Sequence, residues 1–281
     1  MRLKYLTILL VLLAFINLVS ATECGSTPTD QCTVTQNTTF SPGFYSLPIG
    51  ISITADNVEL NCNGAILNGT KFPETKGVQT LKSNVTIANC NTRNYFHGIH
   101  LKYGRANIVK NNTAFNNTYG ITVSRAYDNL VISNNATKNA GGYFVEDYST
   151  GNLLVNNIAK ANNYAFYVFQ GSNNVFANNS LVNNGEQGIF LFMSHYNLLT
   201  NNIAKNNSGN GIALGYSTYN NITGNIIDKT PTGVSMTKGL NNVITNNKIT
   251  NANDAIALTF SLYNIIANNI ASNNTGHGIL L

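Results

Sequence analysis

Asn152-Leu-Leu-Val-Asn-Asn157 returns as Asn174-Val-Phe-Ala-Asn-Asn179, Asn197-Leu-Leu-Thr-Asn-Asn202, Asn242-Val-Ile-Thr-Asn-Asn247 and Asn264-Ile-Ile-Ala-Asn-Asn269. These segments are one motif. Its closing Asn reads at 89, 112, 135, 157, 179, 202, 225, 247 and 269, in steps of 22 or 23 residues. A second motif, Gly or Ala followed by apolar-x-apolar, starts at Gly98, Gly120, Gly142, Ala165, Gly188, Gly211, Gly233, Ala255 and Gly278 with the same step. Weaker copies open at Gly50 and Gly77. Self-similarity at one fixed period over most of a chain marks a repeat architecture.

Each period contains apolar runs of three or four residues separated by Asn, Gly and Ser. Alternating short runs predict strands, and Asn/Gly clusters predict turns. No stretch has helical periodicity long enough to bridge parallel strands. The expectation is therefore an all-β fold, a parallel β-coil of about ten rungs of 22–23 residues, one per period. Leucine-rich repeats share the period but need a Leu pattern that is absent here. Rungs stack at about 4.8 Å, and a carboxamide both donates and accepts. The Asn column should thus hydrogen-bond from rung to rung, and Asn also tolerates the left-handed backbone of sharp turns.

The pattern N-x-apolar-x-(N)-N followed by G-apolar-x-apolar resembles the right-handed parallel β-helix repeat of NosD-type proteins. These belong to the wider group of carbohydrate-binding and sugar-hydrolase β-helices. The resemblance covers residues 50–281 and implies a single domain, with residues 22–49 as an N-terminal cap. It specifies fold rather than activity, because such β-helices host lyases, hydrolases, adhesins and non-catalytic scaffolds.

Charged residues make up only 10% of the chain and hydrophobic residues 43%. That is enough apolar side chain for a core and too little charge for a disordered segment. Residues 1–21 read as a secretory signal. Arg2 and Lys4 form its charged start, Leu6 to Leu18 its apolar stretch, and Val19-Ser20-Ala21 its cleavage region. The apolar stretch is short for a membrane span of about 20 residues, so no membrane association is expected after cleavage. Without the leader, 14 basic residues face 11 acidic ones. The basic residues are scattered, so nucleic acid is not an expected partner.

An exported chain, secreted, periplasmic or on the cell surface, fits an even count of cysteines. Cys24 and Cys32 would close a short loop. Cys62 and Cys90 should sit on neighbouring rungs within disulfide reach. The predicted pairs are Cys24–Cys32 and Cys62–Cys90. Asn-x-Ser/Thr sequons at Asn37, Asn68, Asn84, Asn111, Asn116, Asn135, Asn178, Asn206, Asn221 and Asn273 are glycosylated only if the host does so.

In Gly-apolar-x-apolar the position x points outward. Read along the rungs, this and the next outward position gather Phe144, Tyr167, Phe169, Phe190 and Phe192 into one aromatic patch. Outward Phe marks a contact surface. Aromatic faces suit the C–H faces of sugars, although burial against protein or simple ring stacking would use the same residues. A polysaccharide or a surface protein is the expected partner, bound without catalysis and without a cofactor.

An alternative is a polysaccharide lyase using Lys102 or Arg125 as base, with Asp128, Glu146 and Asp147 beside it and calcium held by carboxylates. An Arg125–Asp147 ion pair is expected. Gly276-His277-Gly278 resembles a polygalacturonase motif, but its partner carboxylate motifs are missing, so His277 reads as a turn residue. Resemblance to NosD implies copper handling, for which His97 with His100, and Met193 with His195, are the candidate ligands. These pairs lie four rungs apart and cannot share an ion, and the histidines are otherwise expected at the surface. No polar cap follows Gly278-Ile-Leu-Leu281. The expectation is that the natural chain continues, or that this end docks on a partner or another copy and gives end-to-end self-association.

Overall fold

In the computed structural model, which describes residues 22–281, the short apolar runs alternate as read. Leu154 is buried between Leu153 and Val155, and Phe176 between Val175 and Ala177. Three-residue strands of this kind bury one side chain each. The chain turns after each, because left-handed residues such as Asn156, Asn178 and Asn201 end the extended run. The signal segment, residues 1–21, lies outside the described residues.

Each rung visits three parallel sheets in turn, one of 12 strands and two of 11. The result is a right-handed parallel β-helix of about 11 turns. Every pairing is parallel and joins a strand to the same strand of the adjacent rung, as Phe144 with Tyr167 and Tyr167 with Phe190. Residues 33–46 make a rung of their own, pairing with Gly50–Ile53, Glu59–Asn61 and Ile66–Asn68. Inward side chains fill the coil; the Tyr143 and Phe166 rings stack at 4.5 Å inside it. Among the described residues no helix is long and apolar enough to cross a membrane.

Three Asn ladders hold the corners. One runs Asn107, Asn129, Asn152, Asn174, Asn197, Asn220, Asn242 and Asn264. The second runs Asn112, Asn134, Asn157, Asn179, Asn202, Asn225, Asn247 and Asn269. The third, Asn117, Asn139, Asn162, Asn184 and Asn207, covers the middle rungs. The rung-to-rung role of Asn is as expected, but two members of the column differ. Asn134 rather than Asn135 is the ladder residue, and at the N-terminal end Cys90 rather than Asn89 occupies the position, its N–H donating to Asn112 Oδ1 at 2.8 Å.

Both disulfides form as predicted. Cys24 and Cys32 close a loop over the first rung. Cys62 and Cys90 join adjacent rungs with Cα atoms 4.7 Å apart.

Candidate functional site

The 12-stranded sheet turns one face outward along the whole coil. Strand register aligns His100, Thr122, Phe144, Tyr167, Phe190 and Ala213 in one column. Lys102, Ser124 and Glu146 share a second column, which Phe169 and Phe192 continue. A third column, not foreseen from period-two counting, holds His97, Tyr119, Gly141 and Tyr164.

The rings of these columns form one file. His97 stacks on His100 at 4.4 Å and on Tyr119 at 5.4 Å. Tyr119 stacks on Phe144 at 5.0 Å, Phe144 on Tyr167 at 5.1 Å, and Tyr167 meets Phe190 at 5.3 Å. Phe169 lies parallel to Phe192 at 6.1 Å. All five patch aromatics are half-buried, because each ring shields the next. Tyr119, Phe144, Tyr164 and Tyr167 also line a shallow pocket of about 180 Å³.

At the N-terminal end of the file the surface becomes charged. Arg125 Nε lies 3.5 Å from Asp147 Oδ2, the pair expected, and its Nη1 donates to the Tyr103 hydroxyl at 3.2 Å. Asp128 turns away to Arg105, 3.1 Å distant. Lys102 sits over the Tyr103 ring. Glu146 has neither cation as a direct partner. Burial, and then the neighbouring Asp147 charge, push its carboxyl up to about 7. Burial and the Glu146 charge likewise raise the Tyr119 hydroxyl.

The histidines His97 and His100 are not at the surface as expected; they are 7% and 6% exposed. They project from the outer face, but the surrounding aromatics close over them. Burial holds His97 down to about 4. Burial, followed by the neighbouring His97, holds His100 down to about 3. His97 Nδ1 lies 2.8 Å from Thr122 Oγ1, while neither ring nitrogen of His100 has a partner.

Met193 and His195 line a separate pocket at the corner that follows this sheet. His277 pairs with Asp254 at 2.9 Å beside the last strand. Among the described residues no group of three or more His, Cys, Asp or Glu is placed to hold a metal ion.

Residues 50–202 match the family model described as right handed beta helix region. The chain belongs to this right-handed β-helix family. Residues 181–281 of the β-helix also match the model described as periplasmic copper-binding protein (NosD). No curated protein matches it in sequence. Among solved structures, the β-helix is similar to the mannuronan C-5 epimerase AlgE4 A-module of Azotobacter vinelandii, with 15% identity, 89% of this chain and 83% of that chain covered, and a TM-score of 0.76. The periplasmic alginate epimerase AlgG has 14% identity, coverage of 87% and 77%, and a TM-score of 0.68. DFA-IIIase from Arthrobacter chlorophenolicus in complex with GF2 has 12% identity, coverage of 85% and 81%, and a TM-score of 0.70. At these identities the likeness is one of fold.

Proposed function

We propose that this β-helix is exported and binds an acidic polysaccharide along the outer face of its 12-stranded sheet. The observation that carries the reading is the ring file from Tyr119 through Phe144 and Tyr167 to Phe190, ending beside Lys102 and Arg125. Half-buried rings offer flat apolar area to the C–H faces of sugars, and the cations suit uronate carboxylates. The two disulfides fit an oxidising, extracytoplasmic compartment. The solved structures of like fold include a mannuronan epimerase and a periplasmic alginate epimerase, which supports the ligand class.

Affinity electrophoresis in gels containing alginate or polygalacturonate tests the reading. The wild-type chain should be retarded, and the double variant Tyr167→Ala/Phe190→Ala should run as in a gel without polysaccharide. Equal retardation of the folded variant would sink the proposal.

Glu146 favours a second reading, in which the same surface performs acid–base chemistry. A carboxyl titrating near neutrality can accept or return a proton at physiological pH. At carbon 5 of a uronate it would break the C–H bond and leave the electron pair delocalised into the sugar carboxylate. Reprotonation from the opposite face would give the epimer; departure of the O4 substituent would give an unsaturated end. Incorporation of deuterium from D₂O at carbon 5, followed by NMR, and ultraviolet absorbance of unsaturated product distinguish these outcomes. Glu146→Gln should abolish either. If wild type shows neither, the surface binds without catalysis.

A further inference from the structure

At the corner following the 12-stranded sheet, the backbone and the side chains disagree. Every corner of the coil needs residues with positive φ. At the other two corners these are mostly Asn, as at Asn111, Asn156, Asn178 and Asn201, or Asn116, Asn183 and Asn206. Asn adopts this conformation cheaply. Here the equivalent residues are Asp147, Gln170, Met193 and Tyr216, with φ of 55°, 55°, 50° and 50°, and Tyr148, next to Asp147, is left-handed as well at 63°. Side chains as large as Tyr, Gln and Met are uncommon in the left-handed region and carry strain on the order of 1 kcal/mol each. The sequence leaves its inexpensive default along this one edge.

Tyr148, Gln170, Met193 and Tyr216 share a groove of about 310 Å³, with Ser172 and His195 as the remaining lining. Tyr148 is 66% and Tyr216 45% exposed, so burial does not explain them. His195 Nδ1 accepts from the Thr218 N–H at 3.2 Å. The same Nδ1 lies 2.8 Å from Thr218 Oγ1, while Nε2 has no protein partner among the described residues. Gln170 adds an amide and Ser172 a hydroxyl. No Asp, Glu, Lys or Arg lines the groove, but Lys238 from the next rung lies over the Tyr216 ring at 4.8 Å and donates to its hydroxyl at 3.0 Å. Around the edge, Phe192 meets Tyr216 edge-on at 5.7 Å, so the groove adjoins the ring file of the sheet.

We propose that this corner groove is a binding subsite for a neutral sugar residue of a glycan, held by Tyr148, Gln170, Met193 and Tyr216 over Ser172 and His195. Aromatic walls take the apolar face of the sugar ring, and the neutral donors and acceptors take its hydroxyls. No Lys or Arg lines the groove, and Lys238 at its end is already engaged by the Tyr216 ring and hydroxyl, so the lining suits a neutral sugar better than an acidic one. The site is separate from the sheet-face surface and does not depend on the reading given above.

The test uses affinity electrophoresis of the full exported chain in gels containing glucomannan, galactomannan or polygalacturonate. Retardation in at least one neutral gel is expected. Tyr148→Asn/Tyr216→Asn should reduce it at least tenfold, whereas Tyr167→Ala/Phe190→Ala should leave it unchanged. Because Asn suits the left-handed backbone, the Asn variant should melt at the same temperature as wild type or above it, which separates lost binding from lost folding. Tyr216→Phe should keep most of the retardation. The proposal is overturned if neither neutral polysaccharide retards wild type, or if the folded Asn variant is retarded as strongly.

Discussion

Asn179 Oδ1 accepts two hydrogen bonds from Asn157, one from its backbone N–H at 2.9 Å and one from its Nδ2 at 3.1 Å. Asn157 Nδ2 also donates to the Val131 carbonyl on the preceding rung at 2.8 Å. One carboxamide thus ties together three rungs.

Replacing Asn157 by Leu removes the acceptor of the Asn134 N–H and Nδ2 and the donor to Val131. Orphaned buried polar groups carry about 1–3 kcal/mol each, so a loss of at least about 3 kcal/mol is expected. Asn156→Ala, one residue away and exposed, removes no ladder bond and should lose about 1 kcal/mol or less from its left-handed backbone. Urea denaturation of the two variants checks the contrast. Equal losses would remove the ladder from its central role.

Acid should weaken the N-terminal half. The folded pKa values of His97 and His100 lie near 4 and 3, below the ordinary value of 6.5. Below about pH 6.5 the unfolded chain therefore binds more protons than the folded one, and stability falls as pH drops toward 3. Glu146 opposes this. Its folded value near 7 exceeds the ordinary 4.5, so its contribution is full below about pH 4.5 and is lost as pH rises through 7. Glu146→Gln should steepen the acid loss, and His97→Gln/His100→Gln should flatten it. Melting temperatures from pH 8 to 4 report both slopes.

Cutting the Cys62–Cys90 bond should loosen one end of the coil rather than the whole. Rungs contact mainly their neighbours, so cooperativity is local. Such a cross-link is worth about 2–4 kcal/mol. After Cys62→Ala/Cys90→Ala, hydrogen exchange should accelerate in residues 33–90 and stay slow around Asn157 to Asn225. Uniform acceleration would show that the coil unfolds as one unit.

Tyr95 is fully buried and donates from its hydroxyl to the Leu47 carbonyl at 2.9 Å, linking distant parts of the N-terminal rungs. Tyr95→Phe keeps the ring and deletes the donor. It should lower stability by about 1 kcal/mol, read as a shift in the urea midpoint at unchanged slope.

The period, the sheet-forming runs and the disulfide pairing were legible because each follows from spacing alone. The choice between Asn134 and Asn135 was not. In an Asn-Asn pair such as Asn156-Asn157 the first residue takes the left-handed turn and the second the ladder, and identical side chains hide that division. His97 and Tyr119 were missed as ring-file members for a different reason. Gly98 and Ile99 both face inward: a Cβ on Gly98 would lie 2.7 Å from Thr92 Oγ1 and 2.8 Å from Asn117 Nδ2. This local kink shifts parity, so the residue before the glycine faces out, against a strict alternation. The burial of His100 follows from ring packing across rungs, which no single period displays.

Asn179, Asn202 and Asn225 present the same atoms in the same order. Deleting residues 180–202 would therefore join Asn179 to Ile203 with Asn225 ready to take the place of Asn202, and the seam would close without a mismatch. What vanished would be one row of outward groups, Phe190 and Phe192 among them. The coil thus behaves as a ruler graduated in rungs of about 4.8 Å. The extent of its outer surface can be lengthened or shortened by whole graduations while the interior stays the same.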